Sequence, residues 1–382
     1  MNEMTLNQLH AYSIEARRQI HMYPEVGFEL DKTVAYVSAE LDKMGIAHTG
    51  KYGKCSLVAD LGQGDTMIAI RTDMDALPVE EKVDLPFKSR HPGIMHACGH
   101  DSHTGILLAV ARYFKEHEAQ LPCKVRLVFQ PSEEGQYSGA EMMVNNGVMD
   151  GVDHLVGYHC EPWFDAGFIA TRKGDAMAAC IPATIRFIGK SAHATLPEDG
   201  VHAVAMAVDA YVQMEKMVKE EAKDDIYIWS VGRFQGGFVH NVIPDLCEMD
   251  ISFRFYNMDL ADRVGKRVHE ICDAVAASYG GKVEYDWHMS TGPVINNPEL
   301  VRNFEQTVQR LGLPMCELPL KRSSEDLGWY LTKVPGFLFR FGIRNEATGC
   351  TAVAHRSDFC IDEEGMKNAI AAICEYIMSY QA

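Results

Sequence analysis

The chain has 382 residues, 47% of them hydrophobic and 23% charged, and its 53 acidic against 36 basic side chains leave a formal charge of −17. That length suits two domains, each able to bury its own core. An acidic surface of this kind repels nucleic acid and anionic lipid, so neither is an expected partner.

No apolar run approaches the roughly 20 residues of a membrane span. The first twenty residues, with Glu3 and Glu15, read as an amphipathic helix rather than a signal peptide, so a cytoplasmic location is expected. The 11 cysteines are scattered, with no CxxC pair, and read as reduced thiols used mainly as small buried hydrophobes.

In chain order, helices are predicted near 6–21 and 31–44, strands at 55–61 and 66–72, and a helix at 103–117. In that last helix Ile106, Leu107, Val110, Tyr113 and Phe114 recur at helical spacing. A strand at 124–130, a helix at 138–147 and a strand at 154–159 follow. This alternation predicts a largely parallel sheet with helices on both faces. After about residue 180 the order becomes strand 182–189, helix 201–222, strands 226–234 and 247–256, helix 259–278 and strand 282–288. That is the split βαβ pattern of a ferredoxin-like unit. From about 297 the alternation resumes, with a strand at 336–342 and a final helix striped by Met366, Ile370, Ile373 and Ile377. The expected fold is therefore α/β: a catalytic domain of residues 1–180 and 294–382, interrupted by a smaller α+β domain at 181–293.

Four polar clusters carry the chemistry, three of them directly after predicted strands, where sites form in open α/β sheets. Asp73 and Asp75 leave one strand and would either serve a metal or cap a turn. His96, Cys98, His100, Asp101 and His103 precede a helix. So many nitrogen and sulfur donors suit zinc or a neighbouring metal, with Gly99 allowing the tight turn that aims Cys98 and His100 at one point. The bland alternative makes Cys98 a core thiol and Asp101 or Ser102 a helix cap. Glu133 and Glu134 point differently as neighbours, so one can ligate while the other acts as general base. His159, read as ending its strand, and His355, in a loop, supply further imidazoles.

Taken together, IHMYPE (20–25), RTDMDALP (71–78), HACGHDSHT (96–104), QPSEEG (130–135), GKSAHATLPEDG (189–200), NVIP (241–244), SSED (323–326) and AHRSDF (354–359) stand in an order that resembles the M20 metallopeptidases. The likeness is to their amidohydrolase subfamily, which includes hippurate hydrolases, N-acyl-amino-acid deacylases and auxin-conjugate hydrolases. The resemblance implies Cys98, His100, Glu134, His159 and His355 as ligands of two divalent ions, with Cys98 bridging. Zinc or manganese is expected first, and cobalt or nickel is admitted by the same donors. It makes Glu133 the general base and Asp75 its neighbour. His100 would replace the imidazole that much of the wider family carries at the position of Asp73. In the inserted domain, which the resemblance makes a lid and dimerisation element, His193, Asn241 and Arg254 match positions that reach substrate.

Ser102, His202-Ala203 and His355-Arg356-Ser357 depart from the common pattern without removing a ligand. The implied activity is hydrolysis of N-acyl amino acids by a homodimer or homotetramer. Dipeptide cleavage and an inactive metal-binding homologue are the alternatives. For Arg254, a strand salt bridge competes with a substrate-carboxylate role.

Overall fold

The computed structural model describes residues 1–381. The chain divides into two compact units. One comprises Met1–Ala176, Val294–Leu320 and the chain from Asp326 onward; the other comprises Met177–Pro293 with Lys321–Glu325.

In the first unit an eight-stranded sheet has, from one edge to the other, the strands His48–Thr49, Leu57–Leu61, Lys124–Gln130, Met67–Asp73, His154–Asp165, Gly336–Arg344, Ile169–Thr171 and Met315–Glu317. The four in the middle run parallel, and antiparallel strands flank them on both sides. Their sequences are nearly continuous apolar runs because both faces are covered. The helix His100–Glu116 packs against Glu3–His21 and Glu364–Met378 as well as the sheet. This is why its whole first half is buried, not only the predicted stripe. The stripe of the last helix is buried as expected. Helix starts follow local chemistry: Asn2 accepts from the Thr5 amide, Ser138 from Glu141, and Asn297 from Glu299 and Leu300 just ahead of Pro298.

Two expectations are corrected. The helix thought to begin at 103 begins at His100, because Gly99, at φ 84°, turns the chain one step earlier. Neither Asp101 nor Ser102 caps it: Asp101 pairs with Arg17 and His21, and the Ser102 hydroxyl donates to the Gly99 carbonyl. His159 does not end its strand, which runs on to Asp165 because Gly336–Arg344 continues to pair with it. On its other side, pairing with Met67–Asp73 stops at Gly157, so His159 lies just beyond that shared stretch.

The second unit is a four-stranded antiparallel sheet in the order Tyr227–Gly236, Leu246–Phe255, Ala179–Ile188, Lys282–Trp287, with the helices Ala203–Ala222 and Met258–Tyr279. That is the strand order of a ferredoxin-like unit, with its own core around Ile185, Phe187, Met214, Phe253 and Val268. It also takes in Lys321–Glu325, which the sequence reading assigned to the catalytic part. Backbone groups explain this: the Tyr256 hydroxyl donates to the Lys321 carbonyl and the Ala178 amide to Ser323. Among the described residues no helix is long and apolar enough to cross a membrane.

Candidate metal centre

The carboxyl ends of the parallel strands bring the expected donors of the first unit together. Cys98, His100 and His159 offer ligand atoms that all lie within 4.8 Å of one another, and so do Cys98, Glu134 and His355. Cys98 belongs to both groups. Its sulfur is 3.4 Å from His159 Nε2, and Glu134 Oε1 is 3.0 Å from His355 Nε2. A third group joins Glu134 to His100 and Glu133.

Each donor is aimed by backbone or by a second contact. A Cβ on Gly99 would stand 2.6 Å from the Cys160 sulfur, so the turn between Cys98 and His100 has room only for glycine. His159 Nδ1 meets the Cys160 carbonyl at 2.7 Å, which directs Nε2 into the centre. Asp75 accepts the backbone N–H of Glu133 at 2.9 Å and of Glu134 at 3.0 Å, and its Oδ1 is 3.5 Å from His100 Nδ1. His355 adopts φ 68°, unusual for a side-chain-bearing residue, and its amide donates to the Ala97 carbonyl.

These residues fit divalent cations on their own chemistry. Both ring nitrogens of His100 are fully buried without a hydrogen-bond partner. They stand 3.5–3.9 Å from carboxylate oxygens of Asp75, Asp73 and Glu133, beyond a short hydrogen bond, which leaves both nitrogens free to coordinate. Burial, then the Glu134 charge, pushes the Cys98 thiol well up, so it becomes a thiolate only beside positive charge. Burial, with Arg340 and His103 nearby, holds His159 neutral, the form in which imidazole ligates. Burial works against the charged form of His100, but Asp73 and Asp75 outweigh it and raise its pKa. The Glu134 carboxyl, despite burial, is held low by His355 and His100.

Asp73 and His103 also offer atoms within 4.8 Å of each other and of His100, but they are committed to other partners. His103 Nδ1 is 2.6 Å from Asp73 Oδ1, and its Nε2 accepts the Cys160 N–H, so both nitrogens are already engaged. Asp73 also pairs with Arg71, which in turn binds Asp326 and Gln130, all of them buried. Removing one partner of such a buried charge cluster typically costs about 3–5 kcal/mol. His96 is buried with neither nitrogen hydrogen-bonded, and lies against the ring of His21 rather than among the donors.

His193, Asn241 and Arg254 are in the second unit. His193 is exposed, hydrogen-bonded through Nδ1 to the Thr195 hydroxyl, and its strand pairs with Val242. The exposed Asn241 accepts the Ala194 N–H through its carbonyl. Arg254 donates to the Arg322 carbonyl and the Ser324 hydroxyl, and among the described residues it forms no ion pair, so these hydrogen bonds stand in place of the strand salt bridge weighed from sequence.

Sequence reasoning gave no role to Arg17, His21, Glu81 and Asp326. Their partners are distant in the chain: His21 bridges Asp101 and Glu81, and Arg17 bridges Asp101 and Glu363. His21 lies in the quoted IHMYPE, and Asp326 closes SSED, so the motifs were visible although their contacts were not.

The family model described as peptidase family M20/M25/M40 matches residues 69–379. The chain belongs to this family. As an M20 member it is a hydrolase. It is 32% identical over 371 residues to an N-acetyl-L-cysteine deacetylase of Bacillus subtilis, covering 96% of this chain and 88% of that one. It is likewise 32% identical to an IAA-amino acid hydrolase of Arabidopsis thaliana, over 94% of this chain and 83% of the relative. Among solved structures, a dinuclear metal-binding M20 peptidase from Bacillus subtilis superposes with a TM-score of 0.82 at 28% identity, covering 97% and 98% of the two chains.

Proposed function

We propose that this M20 hydrolase cleaves the amide bond of N-acyl amino acids, releasing a carboxylate and the free amino acid, with two divalent cations held by Cys98, His100, Glu134, His159 and His355. The observation that carries the reading is the sharing of Cys98 between two separate donor groups, with Glu133 beside them. The dinuclear relative supports two ions, and the deacetylase and conjugate-hydrolase relatives support an acylated amino acid. Zinc or manganese suits this mixture of thiolate, imidazole and carboxylate.

When bound, two such cations supply positive charge that acidifies water and polarises a carbonyl. Glu133, fixed by its own amide on Asp75, takes the proton of the attacking water and returns it to the departing amide nitrogen. Residues 181–293 serve as a lid and dimer element of a cytoplasmic homodimer or homotetramer. From it His193 and Asn241 donate hydrogen bonds to the substrate, and Arg254 takes the free carboxylate of the amino-acid part.

The test is a panel of N-acetyl, N-benzoyl and N-succinyl amino acids set against dipeptides, with each metal added in turn. Turnover of acyl amino acids above dipeptides is expected; the reverse order would make the protein a dipeptidase and overturn the substrate assignment. Glu133→Gln is expected to lower kcat by about 10²–10⁴-fold while metal content stays at the wild-type level. Full activity in that variant would remove Glu133 from the base role.

A further inference from the structure

Away from the donors, two of the free thiols stand against each other. The Cys360 sulfur lies 2.7 Å from the Cys350 sulfur, nearer than non-bonded sulfurs ordinarily stand and approaching the about 2 Å of a disulfide. Among the described residues no other two thiols meet in this way. Cys360 is half-buried and Cys350 keeps 7% of its surface exposed, so only a molecule as small as hydrogen peroxide has access to the pair. The backbone holds the pair from both sides: the Asn345 amide donates to the Cys350 carbonyl, and the Phe359 amide to Arg356. Between the two cysteines lies His355, whose loop is pinned at the Ala97 carbonyl and by the Lys82 amide on the Ser357 carbonyl.

We propose that Cys350 and Cys360 form a reversible disulfide when exposed to hydrogen peroxide, and that the bond fixes the loop presenting His355. The Cys350 thiolate attacks one peroxide oxygen, the O–O bond breaks, and the departing hydroxide leaves as water. The Cys360 sulfur then displaces the hydroxyl from Cys350, forming the S–S bond and a second water. Two thiols lose two electrons and two protons in all, and one peroxide becomes two waters. Cys350 suits the first step, since the hydrogen bond from Cys360 lowers its pKa to about 7 despite burial. The two sulfurs are already close to bonding distance, and a peroxide-reactive cysteine beside a resolving partner is the arrangement that makes oxidation reversible. The pairing stands apart from the hydrolase reading; only its effect on metal retention rests on it.

The experiment treats the full-length, metal-loaded protein with hydrogen peroxide, alkylates it and digests it with trypsin without reduction. Cleavage after Arg344, Arg356 and Lys367 separates residues 345–356 from 357–367, so the two peptides stay together only through the disulfide. The expected product is the joined pair, about 2 Da lighter than the sum of its dithiol halves, and divided again by dithiothreitol. Recovery of both peptides singly, with alkylated or over-oxidised thiols, would overturn the proposal. In parallel, release of metal to a chelating dye is timed for reduced and oxidised wild type. Slower release after oxidation is expected, along with no response to peroxide in Cys350→Ser. Equal rates in a sample that contains the joined peptides would overturn the loop-fixing role alone, and a protein holding no metal at the outset would break the hydrolase reading while leaving the disulfide result standing.

Discussion

The two donor groups that share Cys98 differ in their surroundings. His100 and His159 are buried, His100 on the first turn of a core helix and His159 on a central strand. His355 has 55% of its side chain exposed and rides a loop with left-handed backbone, facing Glu134. The inner half is thus built into the core, whereas the outer half depends on a half-exposed side chain carried by a loop. In a low-dielectric interior a neutral imidazole beside a cation is strongly favoured over an orphaned one. The inner group should therefore hold its ion more firmly, and the outer group should exchange.

Substitutions can break or sharpen that contrast. The largest effect is expected for Cys98→Ala, which takes a ligand from both groups at once: elemental analysis should show both ions depleted and turnover at background. Retention of one full equivalent of metal would show that the sulfur serves a single ion. Next, His159→Ala and His355→Ala should part ways. The buried change is expected to cost about 1–3 kcal/mol of stability together with its ion, while the exposed one leaves the thermal midpoint nearly unmoved and loses only the exchangeable ion. Equal destabilisation of the two variants would erase the distinction.

Asp75→Asn keeps the shape but weakens acceptance of two backbone amides, so a fall of about 10–100-fold in activity or metal affinity is expected, read by titrating the apo-protein.

The smallest effect concerns an imidazole of the same core that has no metal to hold. Burial lowers the pKa of His154 to about 4, and its Nε2 lies 3.3 Å from the Tyr376 hydroxyl. Because the folded value lies below the unfolded one, its stabilising contribution is complete above about pH 6.5 and is lost as pH falls toward 4. The loss should be about 1 kcal/mol between pH 6.5 and 5.5. Urea unfolding of wild type and His154→Phe checks this, since the variant should lack that part of the slope.

Much of the architecture could be read from the chain because periodicity is local. The strand at 124–130 falls where its apolar run lies, and the order from 179 to 287 follows from the switch to consecutive strands. The short strands Ile169–Thr171, Gly174–Met177 and Met315–Glu317 were missed, since three or four residues are too few to show a period. The donors were legible as dense motifs. What was not legible is which polar residues support them: Asp326 reaches Arg71 across 255 positions, and no local signal encodes such a pairing. The thiols of Cys350 and Cys360 escaped for the same reason, because ten residues of irregular loop give no spacing rule that brings sulfurs together.

Asp75 has a consequence for altering this protein. A single carboxylate carries the amides of Glu133 and Glu134 and lies beside His100, so the proposed base and two of the proposed metal donors shift together if it moves. A change of substrate preference therefore has to be engineered elsewhere, at surfaces that leave this anchor untouched. Libraries that diversify the strand-end loop around it would chiefly yield inactive clones rather than new preferences.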